Sequence, residues 1–328
     1  MKPLLLAASA FLTALGAASP SAGQDMVSLP QPIVDESGHV LSFGEDEGDR
    51  MTVPVNIGAS GPHLFVIDTG SERTVISREL ARALDLVPGR PARMHSMTEV
   101  STVSTVVIPE LQVGGKSVHR INAPALERRN LGAEGLLGVD TLQSQRVLFD
   151  FVKQEMTVTP SRKREPRWPS DTIVITAKSR FGHLVLVDAT VEGQKVWVIV
   201  DTGSEATVAN NALRRKLERK GRLKTTIPVA LTSVTGSTTI ADQGLARRIR
   251  IGGIEMQNLP LVFADAHPFR KLGLMERPAI LLGMDALQLF ERVSVDFANR
   301  TVKILPGDTS ALQPPTRVAR TEGARPAG

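Results

Sequence analysis

Two apolar runs, Leu64-Phe65-Val66-Ile67 and Val196-Trp197-Val198-Ile199-Val200, end on the same polar pentapeptide, Asp-Thr-Gly-Ser-Glu. Short unbroken apolar runs closed by a turn signal fit strands buried on both faces. Met51 to Ile57 and Leu184 to Val191 alternate in part and are rich in β-branched residues, so they read as strands with one solvated face. Thr102 to Val113 and Thr238 to Ile251 read the same way. Helical spacing is confined to short stretches. Leu80, Ala83 and Leu84 share one face within Ser77 to Leu86, a second helix begins near Asn211, and Asp285 to Phe290 opens a third with Asp285 as N-cap. The pattern predicts an all-β fold, mainly strands with short helices.

The pentapeptides Asp68-Thr69-Gly70-Ser71-Glu72 and Asp201-Thr202-Gly203-Ser204-Glu205 are not isolated repeats. Each is followed by Thr-Val, at Thr74-Val75 and Thr207-Val208, and later by an apolar-Gly-x-Asp element, Leu136-Leu137-Gly138-Val139-Asp140 and Leu281-Leu282-Gly283-Met284-Asp285. Val113-Gly114-Gly115 answers Ile251-Gly252-Gly253, and Asp150-Phe151 with Met156-Thr157-Val158 answers Asp296-Phe297 with Thr301 to Ile304. Solenoid repeats run roughly 20–50 residues; this far longer period means two duplicated domains. One Asp-Thr-Gly alone would read as an ordinary turn. Two copies in the same order, each with a distant partner element, read as a built site.

Length and charge refine this division. The 328 residues suit two domains with real cores. Residues 1–23 have a basic start at Lys2, an apolar stretch from Leu4 to Ala18 and small residues after it, the order of a cleaved signal peptide. Residues 24–50 form an N-terminal extension, acidic near its end, that suits a pro-segment or an extra strand. The expected layout continues with a first lobe at 51–159, a linker at 160–171, a second lobe at 172–305 and a disordered tail at 306–328. The net charge is +5, gathered at Arg162-Lys163-Arg164 and between Arg214 and Lys224. The second cluster reads as a solvated helix face rather than as a polyanion site, and with Tyr absent a base-stacking platform for nucleic acid is not expected. Cys is absent, which removes disulfides, thiolate metal sites and a Cys nucleophile. The expected compartment is outside the cytoplasm, periplasmic or secreted, with no membrane span after cleavage.

Duplicate carboxylate turns can face each other across a pseudo-twofold axis. An aspartate emerging from a buried strand sits in a low-dielectric cleft, and Gly70 and Gly203 allow close approach there. Thr69 and Thr202 can bond across the interface, while Ser71 and Ser204 can donate a hydroxyl hydrogen to the outer carboxylate oxygen and favour its ionised form. Two carboxylates in contact cannot both ionise readily, so the pair keeps one proton and is acid and base at once. Such a pair can activate water against a carbonyl.

On these two Asp-Thr-Gly-Ser loops and two Leu-Leu-Gly elements, from Met51 to Leu305, the chain resembles the retropepsin-like aspartic proteases, in a bacterial exported form with two tandem copies. The resemblance implies two closed β lobes, endopeptidase activity on a peptide or protein substrate, and Asp68 and Asp201 as the catalytic pair, acting without metal or cofactor. It implies flap hairpins with tips near Ser96 to Ser101 and Ser233 to Ser237, where Gly236 has Glu99 as its counterpart. It places Glu72 and Glu205 near substrate backbone. The Arg that some members carry after the apolar-Gly pair, a partner for that acid, is replaced here by Val139 and Met284.

Signatures of zinc, nucleotide and serine-esterase chemistry are absent from the sequence. The competing class is a non-catalytic binding or scaffold module on the same fold, and a further arrangement pairs each lobe with its equivalent in another chain. Two fused copies on a short linker favour pairing within one monomer. The leader predicts a mature chain starting between Ser19 and Asp25. N-terminal sequencing of protein from an envelope fraction checks this, and an intact Met1 on cytosolic protein contradicts it.

Overall fold

Each lobe is organised around the strand that delivers its Asp-Thr-Gly turn. The computed structural model describes residues 39–42, 51–95, 100–180 and 182–307, and these belong to one compact unit. The leader, the acidic end of the N-terminal extension, the 96–99 segment with Glu99, and the tail from 308 lie outside the described residues.

In the first lobe six strands close into a barrel, in the order Thr52–Ile57, Ser60–Ile67, Gly135–Leu137, Val75–Ser77, Lys116–Leu126 and Thr105–Val113. The aspartate strand runs parallel to Gly135–Leu137, with Phe65 opposite Gly135 and Ile67 opposite Leu137. Val75–Ser77 lies antiparallel on the other side of the same short strand. Gly135 is required there, because a Cβ at that position would fall within 3 Å of the Phe65 ring. Val53, Phe65, Ile76, Ile108 and Leu111 are fully buried and fill the barrel. Burial on this scale stabilises each large apolar side chain by roughly 1.5–3 kcal/mol.

The second lobe repeats the scheme. Trp197–Val200 runs parallel to Ala279–Leu282, which is antiparallel to Val208–Ala209. The expected single strand from Leu184 to Val191 is instead two, His183–Leu186 paired with Trp197–Val200 and Ala189–Val191 paired with Thr238–Ile251. In the first lobe the unbroken Thr52–Ile57 makes both pairings. Val187 and Asp188 interrupt the second lobe's ladder, so its strands form an open path around the same core. The short helices lie where spacing placed two of them, at Arg78–Ala83 and Asn211–Arg219. The third differs at its start: Gly283 is the N-cap of Met284–Leu287, and Asp285 lies within the first turn with its carboxylate committed elsewhere.

A six-stranded sheet joins the lobes, in the order His39–Ser42, Glu155–Pro160, Gln145–Asp150, Phe290–Asp296, Thr301–Pro306 and Ile173–Thr176. Its central ladder pairs Val147 of the first lobe with Val295 of the second. Within the N-terminal extension, residues 39–42 are thus an extra strand, antiparallel to Glu155–Pro160. The linker lies against the second lobe's part of this sheet through the ion pair of Glu165 with Lys303. Among the described residues no helix is long and apolar enough to cross a membrane.

Buried Asn210 holds the second lobe's helix to its aspartate-bearing sheet. Its Oδ1 accepts from the N–H of Leu213 at 3.0 Å and of Ala279 at 3.1 Å, and its Nδ2 donates to the carbonyls of Leu274 at 2.8 Å and Arg277 at 2.7 Å. Asn210→Ala removes a helix cap and leaves buried main-chain groups unpaired, so it should cost about 2–4 kcal/mol. Urea unfolding measures this, and a loss below about 1 kcal/mol would show that water replaces those bonds.

Candidate active site

The two Asp-Thr-Gly turns meet at the lobe interface and are fastened through their threonines. The N–H of Thr69 donates to Thr202 Oγ1 at 3.2 Å, and the N–H of Thr202 donates to Thr69 Oγ1 at 3.1 Å. Each hydroxyl then donates onward to the opposite aspartate strand, Thr69 to the carbonyl of Val200 at 2.8 Å and Thr202 to that of Ile67 at 2.6 Å. Both threonines are buried, so these four bonds exchange no partners with water.

This crossing brings the aspartates together. A Cβ on Gly70 would fall within 3 Å of the Asp201 carboxylate, and one on Gly203 within 3 Å of the Asp68 carboxylate. The glycines are needed because each faces the other lobe's acid. Asp68 Oδ1 accepts from the N–H of Gly70 at 3.0 Å and of Ser71 at 2.9 Å. Asp201 Oδ1 accepts from the N–H of Gly203 at 3.2 Å. Burial pushes the carboxyl of Asp201 up to about 8, the charge of Asp68 adds to the shift, and the N–H groups of Gly203 and Ser204 oppose it.

The serines act differently from expectation. Ser71 Oγ donates to the carbonyl of Arg73 at 2.9 Å, and Ser204 Oγ donates to that of Ala206 at 2.7 Å. Their hydroxyls close the turn, and the backbone N–H of Ser71 reaches the carboxylate. An N–H at a tight turn is already aimed inward, whereas the Cβ points along the loop toward the carbonyl two residues on.

The second motif of each lobe locks the first. Gly138 and Gly283 pass so close to the backbone of Arg73 and Ala206 that a Cβ would fall within 3 Å of it. Two residues on, Asp140 accepts from the N–H and the hydroxyl of Thr74 at 2.9 and 2.8 Å. Asp285 accepts from those of Thr207 at 3.0 and 2.7 Å. Burial raises the carboxyl of Asp285, against the Thr207 bonds that lower it. These bonds explain why Thr-Val and Leu-Leu-Gly-x-Asp recur together. The repeat exposed the residues, but only the fold showed that they bond to each other.

The two glutamates separate. Glu205 is exposed. Glu72 forms an ion pair with Lys271 and lies 3.9 Å from Nε2 of buried His183, both from the second lobe. His183 Nδ1 also contacts the carbonyl of Thr69 at 3.1 Å. Lys271 from the opposite lobe, with His183 beside it, thus takes at Glu72 the role left vacant at Val139. Sequence reading missed them because neither lies in a repeated motif. Of the expected flap tips, 96–99 lies outside the described residues, between the paired strands Ala92–His95 and Val100–Val103. The other is a turn in which the N–H of Gly236 donates to the carbonyl of Ser233 at 2.8 Å, with Gly236 at φ +84°. Val234 in this turn packs against an apolar cluster of the first lobe that includes Val75, Leu131 and Leu136. Among the described residues no group of His, Cys, Asp and Glu is arranged to hold a metal.

The family described as aspartyl protease matches the chain over residues 53–141 and 187–286, one match in each lobe and more than half of the chain together. No curated protein matches it.

The raised carboxyl of Asp201 makes a stability prediction. Unfolded, the group loses its proton near 3.8; folded, it keeps it to about 8. Its contribution is therefore fully present below the unfolded value and is lost progressively as pH rises between the two. Asp201→Asn keeps the shape without the charge, so it should raise the melting temperature at pH 7.5 relative to the native chain and change it little at pH 4. Calorimetry at both values checks this; equal effects at the two would mean the carboxyl is not protonated in the fold.

Proposed function

Since the chain belongs to the aspartyl protease family, we propose that it is an endopeptidase in which Asp68 and Asp201 activate one water between them. The convergence of the two carboxylates, each lying against the other lobe's turn glycine across the Thr69–Thr202 crossing, is the observation that carries this reading. The pair shares one proton. Desolvation favours its residence on Asp201, and the two N–H donors on Asp68 Oδ1 favour the charge there. Asp68 takes a proton from water as the water oxygen attacks the peptide carbonyl carbon, and Asp201 gives its proton to the carbonyl oxygen. In the tetrahedral adduct, the proton held by Asp68 passes to the amide nitrogen. The C–N bond breaks, Asp201 recovers a proton from the adduct hydroxyl, and the pair returns to its starting state. A buried, pre-oriented pair stabilises the developing charges without reorganising solvent.

Exposed Glu205 and the turn carrying Gly236 are the proposed substrate-side contacts, and one chain holds one complete site. The proposed setting is the periplasm or the exterior. Neutral residence of the proton on Asp201 extends the active range beyond strictly acid conditions.

The expected profile of kcat/KM is a bell whose upper limb lies near neutrality or above, up to about 8, where the shared proton is lost. A digest of a broad peptide library across pH measures it. A profile rising steadily into alkali, or cleavage that survives a statine-containing peptide, contradicts the mechanism.

Asp68→Asn and Asp201→Asn should each lower turnover by at least about a thousandfold. Mixing the two variants should restore nothing, since a chain carrying both aspartates is required. Recovery on mixing would show pairing between chains, and folded variants that both still cleave would favour a binding role for the site.

A further inference from the structure

We propose that His183 and Lys271 are positioning residues that brace the Asp68 loop from the opposite lobe, on one side of the pseudo-twofold. The proposal deepens the aspartic peptidase reading and rests on it. His183 is 2 % exposed and begins the strand His183–Leu186, which pairs with the strand leading to Asp201. A carbonyl oxygen only accepts, so the contact of His183 Nδ1 with the carbonyl of Thr69 fixes the hydrogen on Nδ1. With this bond the N–H, hydroxyl and carbonyl of Thr69 all end on the second lobe.

Lys271 closes the other end of the same loop. It ends the helix His267–Lys271, seated by fully buried Phe269, and forms the ion pair with Glu72. Nε2 of His183 faces that carboxylate at 3.9 Å. The two carriers are themselves tied, because Arg180 of the neighbouring strand donates to the carbonyl of Leu272 at 2.7 Å. Residues 69 and 72 are thus both held by the second lobe. Between them lie Gly70 and Ser71, whose N–H groups orient the Asp68 carboxylate. Asp68 is less buried than Asp201, so its orientation relies on this external hold. The brace fixes those donors relative to Asp201, and a small misplacement of reacting groups costs up to about a hundredfold in rate.

The test compares His183→Leu, His183→Asn, Lys271→Met and Lys271→Arg on a peptide that the native chain cleaves, with melting temperatures confirming that each is folded. His183→Leu and Lys271→Met should lower kcat about tenfold or more while KM moves less than about threefold. His183→Asn keeps a donor near Nδ1 and should recover most of kcat, as should Lys271→Arg. Folded Leu and Met variants with native kcat, or a rise in KM alone, overturn the proposal. A second measurement needs no turnover. In a double-mutant cycle with Glu72→Gln and Lys271→Met, the shift in urea midpoint of the double variant should be smaller than the sum of the single shifts. Additive shifts show that the two side chains do not act together and overturn the brace. If the native chain cleaves nothing, the peptidase reading fails by itself, and the cycle still decides whether the brace exists.

Discussion

Everything at the centre of this molecule depends on the reciprocal bonding of Thr69 and Thr202. Two carboxylates repel and are costly to bury, so nothing in the aspartates themselves brings them together. The threonine crossing supplies four buried hydrogen bonds at the point where the aspartates meet; two join the threonines to each other, and two end on the strand that delivers the opposing acid. The bridging sheet, with Val147 against Val295, holds the same two lobes together at a distance from the turns. Burial raises the carboxyl of Asp201, and the charge of Asp68 brought against it by this crossing adds to the shift.

Around that crossing each lobe is a self-locking unit. A strand delivers the aspartate, a glycine-led helix start passes behind the turn, and an aspartate two residues on accepts from the threonine that follows the turn. Glycine is demanded where backbone approaches backbone, at Gly138 and Gly283, and where backbone approaches carboxylate, at Gly70 and Gly203. The two demands have one cause: the site is assembled from main chain packed tighter than a side chain allows.

The duplication is not symmetric in its details. The first lobe closes its barrel through an unbroken strand, while the second interrupts the equivalent ladder at Val187 and Asp188. Glu72 is held by Lys271 of the second lobe, while Glu205 is exposed. The second-lobe turn around Gly236 leans on Asn130 and, through Val234, on first-lobe apolar residues. Each lobe has one fixed partner in the fused chain, and nothing then requires the halves to present identical surfaces to each other.

The sequence by itself determined the β class, the duplicated lobes, the two aspartate turns and their partner elements, because each is a local pattern repeated with its order intact. Strand alternation, turn glycines and the helix from Asn211 are short-range consequences of side-chain shape. What only the tertiary structure decided lies in contacts between residues far apart in the chain. That the serine hydroxyls turn to Arg73 and Ala206, that Asp285 receives Thr207 instead of capping its helix, and that His183 and Lys271 converge on the Asp68 loop could not be read from spacing. A hydroxyl or carboxylate has several partners within reach of any local pattern. The choice among them is made by burial, which depends on where the rest of the chain has folded.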